Sequence, residues 1–355
     1  KNKYFMKIAA LMSGGVDSSL ALKLLKDQGH NVTAFYLKIW LEDELSSLGS
    51  CPWQEDLKFA TQTCKMLNIP LKIIPLQDAY HKKIVSYTIA ETKEGRTPNP
   101  DILCNQHIKF GIFFDKIDNE FEKVATGHYA QLEEKDGAYI LKRSPDPIKD
   151  QTYFLCNLTQ KQLSRAMFPI GHLNKNEVRK LAEKHKLPAA LRKDSQGICF
   201  LGKFAFRDFV KHHVGEKSGN IIEFETNKKI GTHKGHWFYT IGQRQGIQLS
   251  GGPWYVTRKN PEKNEIYVSN KYDEISESRK EFEVTNFNWI NGEKPKKNHL
   301  SVKIRHKTFP KPCTINFVDS QTAKVILEQK DQGIASGQFA VFYEEDICLG
   351  GGIIK

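Results

Sequence analysis

The chain predicts an α/β fold, a doubly wound parallel sheet in an N-terminal domain, followed by a small mostly-β central domain and a C-terminal β-barrel. Three observations carry this reading. The chain opens with an apolar run, a glycine turn, an amphipathic helical stretch and a second apolar run. That alternation of strand-like and helical periods continues toward residue 204. Beyond it the helical period gives way to short apolar stretches separated by glycine and asparagine turns.

The elements follow in order. Ile8 to Met12 reads as a buried strand, Gly14 and Gly15 as a turn, and Leu20, Ala21, Leu24 and Leu25 as one helical face. Gly29 stops that helix and Val32 to Leu37 returns as a strand, completing a β-α-β unit. A helix starts near Gln54, with Leu57, Ala60, Cys64 and Leu67 on one stripe. A strand near Lys72 to Leu76, a helix near Lys82 to Glu91 and a strand from Val124 to Gly127 continue the alternation. Glycine turns at Gly242, Gly246 and Gly251-Gly252-Pro253 mark the central segment as mostly β. From about residue 276, runs at Leu300 to His306, Cys313 to Val318, Ala323 to Leu327 and Phe339 to Tyr343 suggest a small closed barrel. The domains are therefore placed at 1–204, 205–275 and 276–355.

Composition excludes several classes. With 355 residues, 39% hydrophobic and 26% charged, the chain belongs with ordered globular proteins of two or three domains. No stretch approaches the roughly 18 consecutive apolar residues of a membrane span. Seven cysteines, an odd number without a Cys-x-x-Cys pair, argue against a disulfide framework or zinc ribbon and for reduced thiols. The run Ile8 to Met12 is too short for a signal-peptide core, so a cytoplasmic location is expected. The chain begins without methionine, which leaves a processed form from an organellar matrix or stroma open. A net charge of +12, spread over all three segments, invites a polyanionic partner contacted by several domains.

The strongest local signal is Met12-Ser13-Gly14-Gly15-Val16-Asp17-Ser18-Ser19, between a strand and a helix. Glycines let backbone N–H groups approach an anion, Ser18 and Ser19 offer hydroxyl donors, and the helix N-terminus adds positive potential. The alternative is a glycine turn with a serine cap. Neither Gly-x-x-x-x-Gly-Lys nor Gly-x-Gly-x-x-Gly is present. The string instead resembles the PP-loop of ATP pyrophosphatases, a HUP-type fold. That resemblance implies ATP cleaved between its α and β phosphates, with Asp17 holding Mg²⁺ near the pyrophosphate.

A second signal is the stretch Gly95 to Asn105, containing Asn99-Pro100-Asp101 and Cys104. Asn99 suits an N-cap and Pro100 the first helical position, which places Cys104 in the first turn. There the helix dipole favours a thiolate, and Asp101 lies close enough to move a proton or orient a substrate. A buried, inert cysteine is the plainer alternative. A third signal, Arg192 to Gly202, sets basic residues before the glycine-flanked Cys199. Alone it carries little.

In this order and spacing the three strings resemble the tRNA-specific 2-thiouridylases, sulfurtransferases that thiolate the wobble uridine of certain tRNAs. The likeness runs over essentially the whole chain and takes in Gly127-His128-Tyr129, Lys149 to Leu155, Tyr239 to Arg244, Gly252 to Val256, and Gly337-Gln338 through Gly352. It implies that ATP adenylates the 2-carbonyl oxygen of uracil and that Cys199 carries persulfide sulfur from a donor protein. Cys104 then either liberates sulfide or closes a disulfide with Cys199. It further implies that Leu37 and Gly127 flank the adenine, and that Asn99, Pro100 and Asp101 meet the target base. His128, Lys149, Asp150, Gln151, Arg305, His306 and Gln338 are implied to contact tRNA. Strand alternation adds that Val302 and Ile304 point inward while Lys303 and Arg305 face outward to phosphates. Leu37 and His306 depart from the family's usual methionine and tyrosine, and Gly49 to Trp53 resembles an insertion of its plastid-type branch. A monomer is expected. The competing readings are an ammonia-dependent ATP pyrophosphatase of the amidotransferase type, for which no glutaminase-like segment is apparent, and an RNA-binding regulator with a vestigial loop.

Overall fold

The computed structural model describes residues 5–39, 52–117, 119–193, 206–271, 279–306, 309–331 and 333–355. Strand β1 (Lys7–Leu11), helix α1 (Val16–Asp27) and strand β2 (Asn31–Lys38) form the opening β-α-β unit. Helix α2 (Pro52–Leu67) and strand β3 (Leu71–Pro75) follow. Next come helix α3 (77–93), whose middle turn His81–Val85 is π-helical, and helix α4 (100–116), π-helical over Cys104–Ile112. Strand β4 (Lys123–Ala125) and, further on, the short β7 (Ala166–Met167) complete a five-stranded parallel sheet in the order β3-β2-β1-β4-β7. The order reverses between β1 and β4. In a doubly wound sheet that is where a ligand crevice opens, beyond the carboxyl ends of the two strands.

Between β4 and β7 the chain makes a hairpin, β5 (Ala130–Lys135) and β6 (Ala138–Arg143), then helices α5 (Thr152–Leu155) and α6 (Gln160–Arg165). Helix α7 (Lys175–Lys184) carries a capping box between Asn174 and Glu177, and α8 (Phe206–Val214) leads into the central region. There β8 (Gly219–Glu223), β9 (Lys229–His233), β10 (Tyr255–Asn260) and β11 (Glu265–Ser269) form a mixed four-stranded sheet over a core of its own.

The last strands are β12 (Arg279–Trp289), β13 (His299–Lys303), β14 (Lys311–Phe317), β15 (Thr322–Asp331), β16 (Phe339–Glu344) and β17 (Ile347–Ile354). Their antiparallel ladder closes on itself through β12 and β17. Strands β12 and β17, unforeseen in the sequence, are the pair that closes it. The run Gly350-Gly351-Gly352 lies within strand β17. A Cβ on Gly350 would sit 2.1 Å from the Asn288 carbonyl oxygen and one on Gly352 2.6 Å from Val284, so only glycine lets β12 pass this close.

The barrel is covered on one side by the N-terminal region. Along β16, Ala340 and Phe342 fill the barrel, while Phe339, Val341 and Tyr343 join the core of the α/β region. The β5–β6 hairpin also adds to the edge of β17, with Lys142 opposite Ile347.

Candidate functional site

The loop after β1 is built for an anion. Gly14 has a φ of +75°, and a Cβ there would lie 2.1 Å from the Asp56 carbonyl oxygen of α2. Gly15 occupies the N-cap of α1 without a side-chain capping bond, which leaves first-turn N–H groups for a ligand. Met12 is buried beneath the loop, its N–H bonded to the Phe35 carbonyl, and Val16 is core. The serines act otherwise than as free donors. Ser18 and Ser19 donate to the Gly15 carbonyl at 3.1 and 2.8 Å, and Ser19 is fully buried against Thr63. Their hydroxyls brace the turn, because a helix residue four positions past a cap sits over the cap's own carbonyl. Ser13 closes the ring through Ser18 at 3.1 Å.

Gly127 follows β4 and backs onto this loop. A Cβ on it would fall 2.8 Å from the Ser18 nitrogen and 2.9 Å from the Asp17 carbonyl carbon. Leu37, at the carboxyl end of β2, lies partly buried in register with Ile74. The Asp17 carboxylate receives the Tyr129 hydroxyl at 2.7 Å and Lys175 Nζ at 2.7 and 2.9 Å. Arg192 donates to the Gly14 carbonyl at 3.0 Å and pairs with Asp56. Sequence reasoning missed Tyr129 and Lys175 as members of this site. Lys175 shows in the sequence only as the first residue after an N-cap, and nothing local says that its ammonium reaches a loop 158 residues away.

Asn99 caps α4 through Ile102 N–H at 3.3 Å, and Pro100 takes the first helical position. Cys104 differs from the thiolate expectation. Its side chain is 1% exposed in the main core, and burial pushes the thiol up to about 11, helped by Asp101 and opposed by Lys109. It opens the π-helical turn rather than the first turn of the helix, so desolvation outweighs the dipole. The preceding loop is gripped from two sides. Thr97 N–H bonds to the Ser336 carbonyl of the barrel at 2.8 Å, and Gly95 packs on Pro261 of the central sheet.

The expected tRNA contacts divide by exposure. Asp150 points inward, 1% exposed, bonded by Thr152 and paired with Arg143 and Lys303 at 3.5 Å each. Lys303, expected outward, is also 1% exposed. Alternation does turn it away from Val302, but the face it turns to is covered by the α/β region. His128 is buried between Phe110 and Phe168, bonded to Thr126 at 2.7 Å, and burial drives its pKa well below the ordinary value. Gln151 accepts from Tyr129 N–H, and Lys149 is half-buried. His306 stacks on Phe154 at 4.4 Å and bonds to the Asp150 carbonyl; Asp101 is among the charges it feels. Arg305 reaches the Ile241 carbonyl at 3.3 Å and lies over Gly333. Gln338 is half-buried, with its Oε1 unpartnered among the described residues. Asn99, Pro100, Asp101, His306 and Gln338 thus lie near one seam between barrel and α/β region. Cys199 and most of its string lie outside the described residues.

A braced glycine loop at the switch point of a doubly wound sheet, in a chain whose barrel clasps a second loop, defines an α/β enzyme of the PP-loop, HUP-domain class. Family models match over the chain: a tRNA methyl transferase HUP domain at residues 6–203, a tRNA methyl transferase PRC-barrel domain at 207–270 and an aminomethyltransferase beta-barrel domain at 279–354. A tRNA-specific 2-thiouridylase MnmA of Parabacteroides distasonis is 46% identical, covering 98% of this chain and 99% of its own. MnmA 1 of Bacteroides thetaiotaomicron is 45% identical with the same coverage, 98% and 99%. The chain belongs to the tRNA-specific 2-thiouridylase family. A solved U34-tRNA thiolase, NcsA from Methanococcus maripaludis, is 17% identical with a TM-score of 0.35, covering 60% of this chain and 66% of that one.

Proposed function

We propose that the protein is an ATP-dependent tRNA 2-thiouridylase, a tRNA-uridine 2-sulfurtransferase acting on the wobble uridine. The observation that carries this reading is an open phosphate loop, Ser13 to Ser19, together with an Asn99–Cys104 turn whose preceding loop is clasped by the barrel, in a chain that aligns end to end with thiouridylases. Mg²⁺ fits the loop, because that ion is commonly held by one or two carboxylates together with substrate phosphates, and Asp17 is the carboxylate at the cradle. When bound it would neutralise phosphate charge.

In the proposed reaction the 2-carbonyl oxygen of uracil attacks the α-phosphorus of ATP, and pyrophosphate leaves from the loop. Leu37 and Gly127 flank the adenosine. Persulfide sulfur on Cys199, loaded by a donor protein, attacks C2, and AMP departs with the former carbonyl oxygen. Cys104 then attacks the Cys199 sulfur, closing a Cys104–Cys199 disulfide as the transferred sulfur stays on the base. Asp101, one of the charges felt by His306, is the group we assign to move a proton at the base. Lys149, Gln151, Arg305, His306 and Gln338 are the surface candidates for tRNA, whereas Asp150 and His128 act by holding them and the loop in place. We further propose a monomer in the cytoplasm, or in an organellar matrix or stroma for a processed form. Among the described residues no helix is long and apolar enough to cross a membrane.

The test is mass spectrometry of nucleosides from unmodified tRNA incubated with protein, ATP, Mg²⁺ and a persulfide donor. We expect 2-thiouridine, absent without ATP and absent with Cys199→Ser, which should still bind tRNA. Thiolation by Cys199→Ser would remove the sulfur-carrier role. Pyrophosphate release that depends on ammonia instead of tRNA would replace the reading altogether.

A further inference from the structure

Asp17 and Lys175 form an ion pair at the mouth of the loop with unequal settings. The Asp17 side chain is 32% exposed and that of Lys175 11%. The carboxylate therefore faces the opening while the ammonium approaches it from the protein side. Lys175 is held from behind. Its N–H donates to Asp146 Oδ2 at 2.9 Å, it begins a capped helix, and Nζ lies 5.7 Å from the centre of the Tyr129 ring. Arg192, a second cation bonded to the loop among the described residues, is committed to the Gly14 carbonyl and Asp56, both parts of the scaffold.

Triphosphate and Mg²⁺ change this balance. A divalent cation at Asp17 competes directly with the ammonium for the same two oxygens, and phosphate brings oxygens of higher charge to within reach of a flexible lysine. We propose that Lys175 is a phosphate-binding residue of the ATP site. It exchanges the Asp17 carboxylate for the β- and γ-phosphates when Mg²⁺ and ATP bind, and holds the pyrophosphate as it leaves. Breaking the bond between the α-phosphorus and its bridging oxygen moves negative charge onto pyrophosphate. An ammonium already docked beside the loop stabilises that charge without recruiting a group from solvent. Until ATP arrives, the same lysine keeps the loop carboxylate neutralised. The inference rests on reading Ser13 to Ser19 as the ATP loop.

The experiment is equilibrium binding by calorimetry of Mg²⁺ with a non-hydrolysable ATP analogue, of pyrophosphate and of AMP, to wild-type protein, Lys175→Met and Lys175→Arg. Loss of a charge-assisted bond to phosphate predicts about tenfold to a hundredfold weaker binding of the ATP analogue and of pyrophosphate to Lys175→Met. AMP affinity should stay within about twofold, since AMP lacks the phosphates in question, and Lys175→Arg should restore most of the loss. ATP binding to Lys175→Met equal to or tighter than wild type would overturn the proposal, because it would mean that Lys175 only masks Asp17 from Mg²⁺. Equal losses for AMP and the ATP analogue would overturn it too, by assigning Lys175 to the scaffold. A wild-type protein that binds no ATP analogue would instead remove the loop assignment beneath it.

Discussion

Cys104 shows how one residue's chemistry depends on its surroundings. Its buried thiol, raised to about 11, is a poor nucleophile at neutral pH in the tRNA-free protein. Alkylation of Cys104 by iodoacetamide, followed by peptide mass spectrometry, should therefore be slow at pH 7.5 and rise about tenfold per pH unit through pH 10. Bound tRNA should accelerate it at pH 7.5, if the seam holding Asp101 and His306 opens to admit the base. An apparent pKa near 8 without tRNA would contradict the structure. At Gly14 a positive φ coincides with a contact of 2.1 Å for any Cβ, so Gly14→Ala cannot keep the loop as it is. Thermal denaturation should show a loss of about 1–3 kcal/mol, and calorimetry a loss of ATP binding. The Ser-Gly-Gly-x-Asp-Ser pattern was legible from neighbouring residues alone. The thiol's true environment was not, because it is set by Tyr80, Ile84 and other core residues contributed by α3.

Two elements bury titratable groups at domain seams. Strand β13 delivers Lys303 to Asp150 with both side chains at or below 1% exposure. Lys303→Met should destabilise the fold by about 3 kcal/mol in urea unfolding, because it removes a buried cation from Asp150 and leaves Arg143 as its ion-pair partner among the described residues. A change under 1 kcal/mol would show the pair to be dispensable. Next to β9, the turn His236–Phe238 buries His236, and desolvation together with Lys259, His233 and Lys217 lowers its pKa to about 4. The His236 backbone N–H donates to Asn264 Oδ1, and Gly95 approaches the ring. Unfolding returns that pKa toward 6.5, so between these values the unfolded chain binds more protons. Stability contributed by His236 is thus complete above pH 6.5 and lost as the pH falls toward 4, by roughly 3 kcal/mol. The difference in unfolding free energy between wild type and His236→Phe should change across that window, and a constant difference would contradict it.

At the scale of the whole molecule, the α/β region and the barrel share one core, with Phe339, Val341, Tyr343 and Cys348 of the barrel packed among residues of the N-terminal region. Tyr153 adds a bond to the Phe339 carbonyl at 3.1 Å. Calorimetry should accordingly show both melting in one transition, and a chain ending at residue 278 should lose most of the α/β region's stability. A truncated chain that melts at the wild-type temperature would refute the shared core. The loop before Asn99 is gripped by Ser336 next to the barrel and by Pro261 of the central region, so the same packing fixes the wall of the proposed site.

Local pattern determined the succession of strands β1 to β4 and the helices between them, the phosphate loop and the capped Asn99–Pro100 turn, because each depends on residues within a few positions of one another; the fifth strand β7 and the order within the sheet did not show in it. The tertiary structure alone decided that Lys303 and Asp150 face inward, that Lys175 meets Asp17, that β12 and β17 close the barrel, and that Cys104 is a thiol. Each of these follows from packing between segments far apart in the chain, and burial, more than residue type or period, sets the charge and reach of the groups it encloses.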